Sequence, residues 1–326
     1  MRTTVPGVRT LVLICTLFFS SVSFSQSITS GNGIYEVGLN LGPMIFLGDL
    51  GGNHGKGTAF VKDVNFPTTK WSKGIYASVH PTEWLGFRIA LNQGVLEGFD
   101  SLIRSKGGAE DYRKVRNLNF RSNLIEAYGV VEFYPTVFFE QYDGLQGKLR
   151  PYGVMGLGIF KFNPQGLYYN AQGKSSWVNL HDLRLEGQGM EEYPDRKDYK
   201  LSSVEIPMGV GAKYYVKENF YIGLEVLHRK TFTDYVDDVS TTYIDPNLFD
   251  KYLTPTQAKM ARQLYYRENF VPNGPLSRLP TNNEQRGNPK QNDSYFSTSL
   301  RFGWRLADNN SPESRAARQM RCPSFY

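Results

Sequence analysis

The side chains best equipped for chemistry are charged and recur at even spacing. Glu126 and Glu132 lie on one register, as do Glu205 and Lys213, Glu225 and Arg229, and Arg301 and Arg305. Residues an even number apart on a strand share a face. The intervening residues are apolar or small: Ile125, Ala127, Gly129, Val131 and Phe133 in one stretch, Val204, Ile206, Met208, Val210 and Ala212 in another. The same holds for Phe220, Ile222, Leu224 and Val226, and for Phe296, Leu300, Phe302, Trp304 and Leu306. Carboxylates facing guanidinium groups can move protons or can simply pair. A charge removed from water must be paired, so pairing is a structural requirement before it is a function. With Arg88, these residues are expected to form one internal charge network.

A catalytic constellation is harder to find. The histidines are His54, His80, His181 and His228. His228 falls on the apolar register, where a ring meets headgroups more readily than substrate. A lipid hydrolase would set a serine beside it, and no GxSxG elbow supports that reading. His80 precedes Pro81 at a tight turn. Asp234, Asp237 and Asp238 could bind a divalent cation, or bridge lipid phosphates through one, but they lack the spacing of a calcium loop. Capping of turn donors is the expected role. Gly48, Gly51 and Gly52 surround Asp49, yet no Lys-Ser/Thr follows, so the run reads as a turn rather than a phosphate loop. The chain is read as non-enzymatic, with no cofactor and no metal.

The start of the chain bears on its single late thiol. Arg2 and Arg9 precede an apolar run from Leu11 to Phe19, and Ser23 and Ser25 suit the positions before a cleavage point. Residues 1–25 therefore read as a cleaved signal peptide. Cleavage removes Cys15 and leaves Cys322 alone in an oxidising compartment, where an odd cysteine suggests an intermolecular bond or a free thiol. Arg318, Arg321 and Phe325 surround it and could make a partner contact; a frayed terminus is the equal alternative. Cleavage also takes two arginines and no acid, lowering the formal charge from +6 to +4. No basic stripe is left that would mark a nucleic-acid partner.

These residues must be positioned by strands. No later segment holds ~20 consecutive apolar residues, so no membrane helix follows. Alternating stretches at Tyr35–Phe46, Trp71–His80, Glu83–Gly94, around Ile125–Phe133, Pro151–Phe162, Val204–Val216, Phe220–Arg229 and Phe296–Leu306 predict eight strands. Links after even strands are short or moderate: Pro81–Thr82, Phe138–Gly147 and Lys217–Asn219. Links after odd strands are long: Leu47–Lys70, Leu96–Asn119, Asn163–Lys200 and Val236–Asp293. Bacterial outer-membrane barrels sort their loops this way. The expectation is an all-β fold, an eight-stranded antiparallel transmembrane β-barrel with long external loops over residues 26–306. Residues 307–326 then form a C-terminal tail in the periplasm. Thr254, Pro255 and Gln257 predict a capped helix in the last loop.

Several stretches, in order, resemble the PorG family of outer-membrane barrels, a component of the type IX protein secretion system. They are Phe46–Gly51, Gly166–Asn170, Ile206–Gly211, Thr231–Val239, Arg286–Pro289 and Asn292–Phe296. The resemblance spans nearly the whole mature chain. It implies an accessory barrel that docks a periplasmic ring of a PorK-like lipoprotein and a PorN-like protein to the outer membrane, alongside outer-membrane lipids. Family members often carry a cysteine near the C-terminus, which Cys322 matches. The long fourth loop with its own helix and the very short turn after the sixth strand depart from the family. The competing expectation is a small stand-alone channel or receptor with ligand-binding external loops.

Overall fold

The computed structural model describes residues 34–51, 68–103, 110–138, 148–217, 219–268 and 280–306. Ten strands run in chain order: β1 (Ile34–Leu47), β2 (Lys70–His80), β3 (Leu85–Phe99), β4 (Asn119–Phe133), β5 (Leu149–Lys161), β6 (Pro164–Tyr169), β7 (Ser175–Asn179), β8 (Ser202–Lys217), β9 (Phe220–Thr231) and β10 (Ser294–Leu306). Three helices join them: α1 (Glu110–Arg116), α2 (Leu248–Tyr252) and α3 (Pro255–Tyr265). Eight strands close into an antiparallel ring, β1-β2-β3-β4-β5-β8-β9-β10, in which β10 pairs back onto β1. The remaining pair, β6 and β7, is a hairpin that rises from the third long loop and adds to β4 at Arg121 and Ser122.

One row of hydrogen-bonded partners measures the stagger. From Ala212 on β8 it passes Leu224, Leu300, Leu41, Lys73, Gln93, Ile125 and Lys161, and returns to β8 at Ser202. The return falls ten residues from the start. For eight strands such a shear implies a tilt of about 40° and an interior narrow enough for side chains to fill.

The alternation is inverted relative to a water-soluble protein. Leu157 and Ile89 on the outer face are 72% and 69% exposed, whereas Glu132, Lys213 and Arg301 inside are 0% exposed. Apolar side chains standing outward around a closed ring require lipid, and this is the architecture of an outer-membrane barrel. Among the described residues no helix is long and apolar enough to cross a membrane. Near the short-loop end, Trp84, Phe133 and Phe138 cluster with ring centroids 6.0–6.2 Å apart, and Phe220 packs on Trp304 at 5.3 Å. Aromatic rings of this kind suit a membrane–water boundary.

One inward row at the closing seam is distinctive. Tyr76, Gly38, Gly303 and Tyr221 are successive register partners on β2, β1, β10 and β9. A Cβ on Gly38 would come within 2.3 Å of the Tyr76 hydroxyl, and one on Gly303 within 2.2 Å of the Tyr221 ring. The two tyrosines lie over the two glycines and join at their hydroxyls, 2.8 Å apart.

Six of the eight ring strands lie within two residues of the expected spans, whereas β3 runs on to Phe99 and β4 already starts at Asn119, because both extend above the ring toward the loops. The third loop departs: it carries the β6–β7 hairpin, where the sequence predicts no element. The fourth loop holds two helices rather than one. Thr254 and Gln257 form the expected capping box at α3, with Pro255 in its first turn. The signal peptide, His54 and the tail, including Arg318, Arg321, Cys322 and Phe325, lie outside the described residues.

Candidate functional site

Two connected cores occupy the space inside and above the ring. The first is the charged lumen. Lys213 on β8 donates to Glu36 on β1 at 2.8 Å and to Glu132 on β4 at 3.1 Å. Arg301 on β10 meets Glu132 at 3.1 Å, Glu225 at 3.3 Å and the Tyr152 hydroxyl at 2.6 Å. Arg88 on β3 bridges Glu132 at 3.1 Å and Glu225 at 2.8 Å. Arg229 pairs with Glu126 at 2.7 Å, and the Tyr295 hydroxyl bridges Glu126, at 2.7 Å, and Glu205. Arg305, at the rim, lies 3.5 Å from Glu36 with 26% of its side chain exposed.

All nine charges read from the sequence thus face one interior. The sequence reading missed Glu36 and His80. Glu36 is the only acid on β1, and His80, the last residue of β2, turns inward and lies 3.2 Å from Glu36. With Glu36 included, five acidic side chains face five basic ones. Tyrosine rings fill the gaps: Arg301 lies 4.2 Å from the Tyr76 centroid, and Lys213 4.9 Å from that of Tyr221.

The second core closes the outer mouth. Phe46, Leu96, Phe120, Leu124 and Phe160, at the upper ends of the strands, pack against loop residues Leu183, Leu185, Val236, Tyr243, Phe249 and Leu264. Buried carboxylates staple the loops above this plug. Asp237 accepts the Leu50 N–H and the Val239 N–H, both at 2.9 Å. Asp100 accepts Gly51 N–H at 3.0 Å and Leu118 N–H at 3.1 Å, and pairs with Arg116 at 2.8 Å. Glu186 accepts Ser240 N–H at 2.9 Å and Thr241 N–H at 3.0 Å, and pairs with Arg286 at 2.8 Å. Arg116 also donates to the Asp49 carbonyl at 2.8 Å and to the Arg286 carbonyl. The first loop is thus held from the second and the fourth, the third pairs with the fourth through Glu186 and Arg286, and the second reaches the first and the fourth through Arg116.

The cap carboxylates are strongly perturbed. Burial pushes Asp234 up to about 8, with Asp49 and Glu186 adding repulsion against a Ser240 hydrogen bond. Burial raises Asp238 to about 7 against the opposing pull of Arg286. Asp237 and Asp293 are held well above the usual carboxylate range, first by burial and then by neighbouring aspartates. Such groups favour the protonated form.

The other sequence candidates fall into place by geometry. Asp237 caps backbone donors, as the turn reading expects. Among the described residues no group of three or more His, Cys, Asp or Glu is disposed to hold a metal ion. Gly51 adopts φ +85° in a turn after β1. His228 is outward and half-buried, with Met208 and Phe296 as its register neighbours, neither of them a nucleophile.

A family described as "Domain of unknown function (DUF6089)" matches residues 11–252. No curated protein matches the chain. Solved structures with a similar course include a major outer membrane protein from Thermus thermophilus, at TM-score 0.39 and 10% identity, covering 85% of this chain and 100% of that one. Ail, the attachment invasion locus protein of Yersinia pestis, aligns at TM-score 0.33 and 9% identity over 85% of this chain and 100% of its own. Neisserial surface protein A aligns at 0.32 and 9%, again over 85% and 100%.

Proposed function

We propose that this chain, which belongs to the DUF6089 family, is a non-catalytic accessory barrel of the type IX secretion system that docks a periplasmic lipoprotein ring to the outer membrane. The observation that carries the structural part of this reading is the filled lumen. Arg301 and Glu132 sit four strands apart in a ring of eight, on opposite walls, and are 3.1 Å from each other. A bore bridged in this way offers neither a path for cargo nor an accessible acid–base pair. What remains for the barrel is lateral anchorage. The secretion part is supported by the ordered PorG-like stretches.

Cys322, with Arg318, Arg321 and Phe325, is proposed as the periplasmic contact. A thiol beside arginine is more readily ionised than usual. Affinity purification in mild detergent, with co-purifying proteins identified, tests the reading; a preparation that never carries periplasmic ring proteins would refute it. A non-reducing gel of envelopes with Cys322→Ser tests the covalent version. A high-mass adduct lost in the variant supports it, and an adduct that persists removes it.

A second reading, a receptor using its external loops, is favoured by the cap. Loops locked by Glu186, Asp100 and Asp237 form a preorganised surface, which lowers the entropy cost of binding. Recovery of an extracellular ligand that releases when the cap is disrupted, with no ring proteins bound, would establish that alternative.

A further inference from the structure

The lipid-facing wall from β2 to β5 is grooved. The register aligns Ile75, Leu91, Ala127 and Ile159 in one outward row and Ala77, Ile89, Gly129 and Leu157 in the next. Ala127 and Gly129 on β4 are short, and the residues on either side are long and stand proud. They make the floor of a trough walled by Ile89 and Leu91 on β3 and by Leu157 and Ile159 on β5. A Cβ added at Gly129 meets nothing within 4 Å. Ala77 forms a second shallow floor on β2.

The trough has a polarity. On the short-loop side it continues into Val79, Phe87, Val131 and Met155. On the long-loop side the next row is Lys73, Gln93, Ile125 and Lys161. Both lysines are exposed. Their register neighbours are uncharged: Leu41 and Gln93 for Lys73, Ile125 and Ser202 for Lys161. A lysine on a lipid-facing register reaches its ammonium up to the headgroup level.

We propose that this trough seats an acyl chain of a phosphorylated lipid of the outer leaflet, with the headgroup held at the row of Lys73 and Lys161. The width selects the occupant. The walls stand on strands two places apart, about 10 Å between backbones, and their side chains narrow the gap further. One acyl chain fits; a helix about 10 Å across does not. The charge selects the headgroup, because two cations with no acid among their register neighbours in the described residues complement a phosphate. The site is independent of the docking role proposed above.

Native mass spectrometry of the refolded full chain in detergent, titrated with bisphosphorylated lipid A, tests the site. Wild type should retain one lipid A at a detergent concentration that strips enzymatically dephosphorylated lipid A. The double substitution Lys73→Gln/Lys161→Gln should lower retention at least about fivefold, and Gly129→Leu, which fills the floor, should lower it too. All three substituted side chains point outward, and a gel shift between boiled and unboiled samples verifies closure of each barrel. Equal retention by wild type and both variants overturns the proposal. So does equal retention of the two lipids, or a co-purified polypeptide displaced by Gly129→Leu.

Discussion

Arg88 on β3 and Glu225 on β9 belong to opposite walls of the barrel, yet their Nη2 and Oε2 atoms are 2.8 Å apart. The same is true of Arg301 and Glu132, at 3.1 Å. The interior is a set of struts, and its stability depends on the whole set being paired.

Removing one strut should therefore be costly. Glu132 serves Lys213, Arg88 and Arg301 together. Glu132→Ala leaves these three buried cations with only Glu36 and Glu225 to share, and breaking such a network costs about 3–5 kcal/mol. Urea unfolding in phospholipid vesicles should register a clearly lower midpoint. Glu192→Ala, which breaks the exposed pair with Lys251, should leave the midpoint nearly unchanged. Similar midpoints for the two variants would contradict a strutted interior.

Ion flow offers a separate check. Wall-to-wall pairs below and an apolar plug above leave no continuous aqueous path. Planar-bilayer recordings of wild type should give no steady conductance. Arg301→Ala combined with Tyr76→Ala removes a strut and the ring stacked on it; with the plug still in place above, it should give at most brief, small openings. A large steady wild-type current would sink the anchoring role.

The external cap should loosen as pH rises. Asp234 and Asp238 stand at about 8 and about 7, against an ordinary 3.8. The folded cap keeps protons that the unfolded loops release. The contribution is full below about pH 4, where both states are protonated, and it declines as pH climbs to about 8. Hydrogen exchange at residues 232–240 and 288–293, corrected for the intrinsic pH effect, should show weaker protection at about pH 8 than at about pH 5. Protection that rises with pH would reverse the assignment.

The staples predict a split between cap and barrel. Arg116→Met removes the ion pair to Asp100 and the donors to the Asp49 and Arg286 carbonyls. Limited proteolysis should then cut the external loops roughly 5- to 150-fold faster, what losing ~1–3 kcal/mol of buried hydrogen bonding implies. The gel shift on boiling should persist, because the ring itself is untouched. Simultaneous loss of both would mean that cap and barrel fold as one unit.

Much of the barrel is legible in period-two alternation. The hairpin of β8 and β9 and the closing strand β10 state both faces outright, and loop lengths supply the orientation. Nine lumen charges are readable because they sit at even spacing beside apolar partners. Glu36 is less conspicuous, a lone acid on a face that continues through Gly38, Asn40 and Gly42. His80 is masked by Pro81, which reads as a turn wherever its neighbour points. The cap is the least legible part. Asp237 and Leu50 are 187 positions apart in sequence, and no local pattern reports a carboxylate that accepts an amide from so far away. The β6–β7 hairpin is hidden because its register is set by contact with β4 and α3 rather than by its own alternation.

The tyrosines laid over Gly38 and Gly303 bear on how such a chain assembles. A strand can slide by two residues along its neighbour without exchanging faces, and the first and last strands are the pair with the longest connection to search. Slid by two, β10 would set Arg301 or Arg305 against Gly38 in place of Gly303, under the Tyr76 ring, and the Tyr76 hydroxyl would lose Tyr221. The zipper between chain ends therefore carries its own tooth and notch. A wrongly indexed ring is rejected by steric conflict at the moment of closure, before any partner or cap could test it.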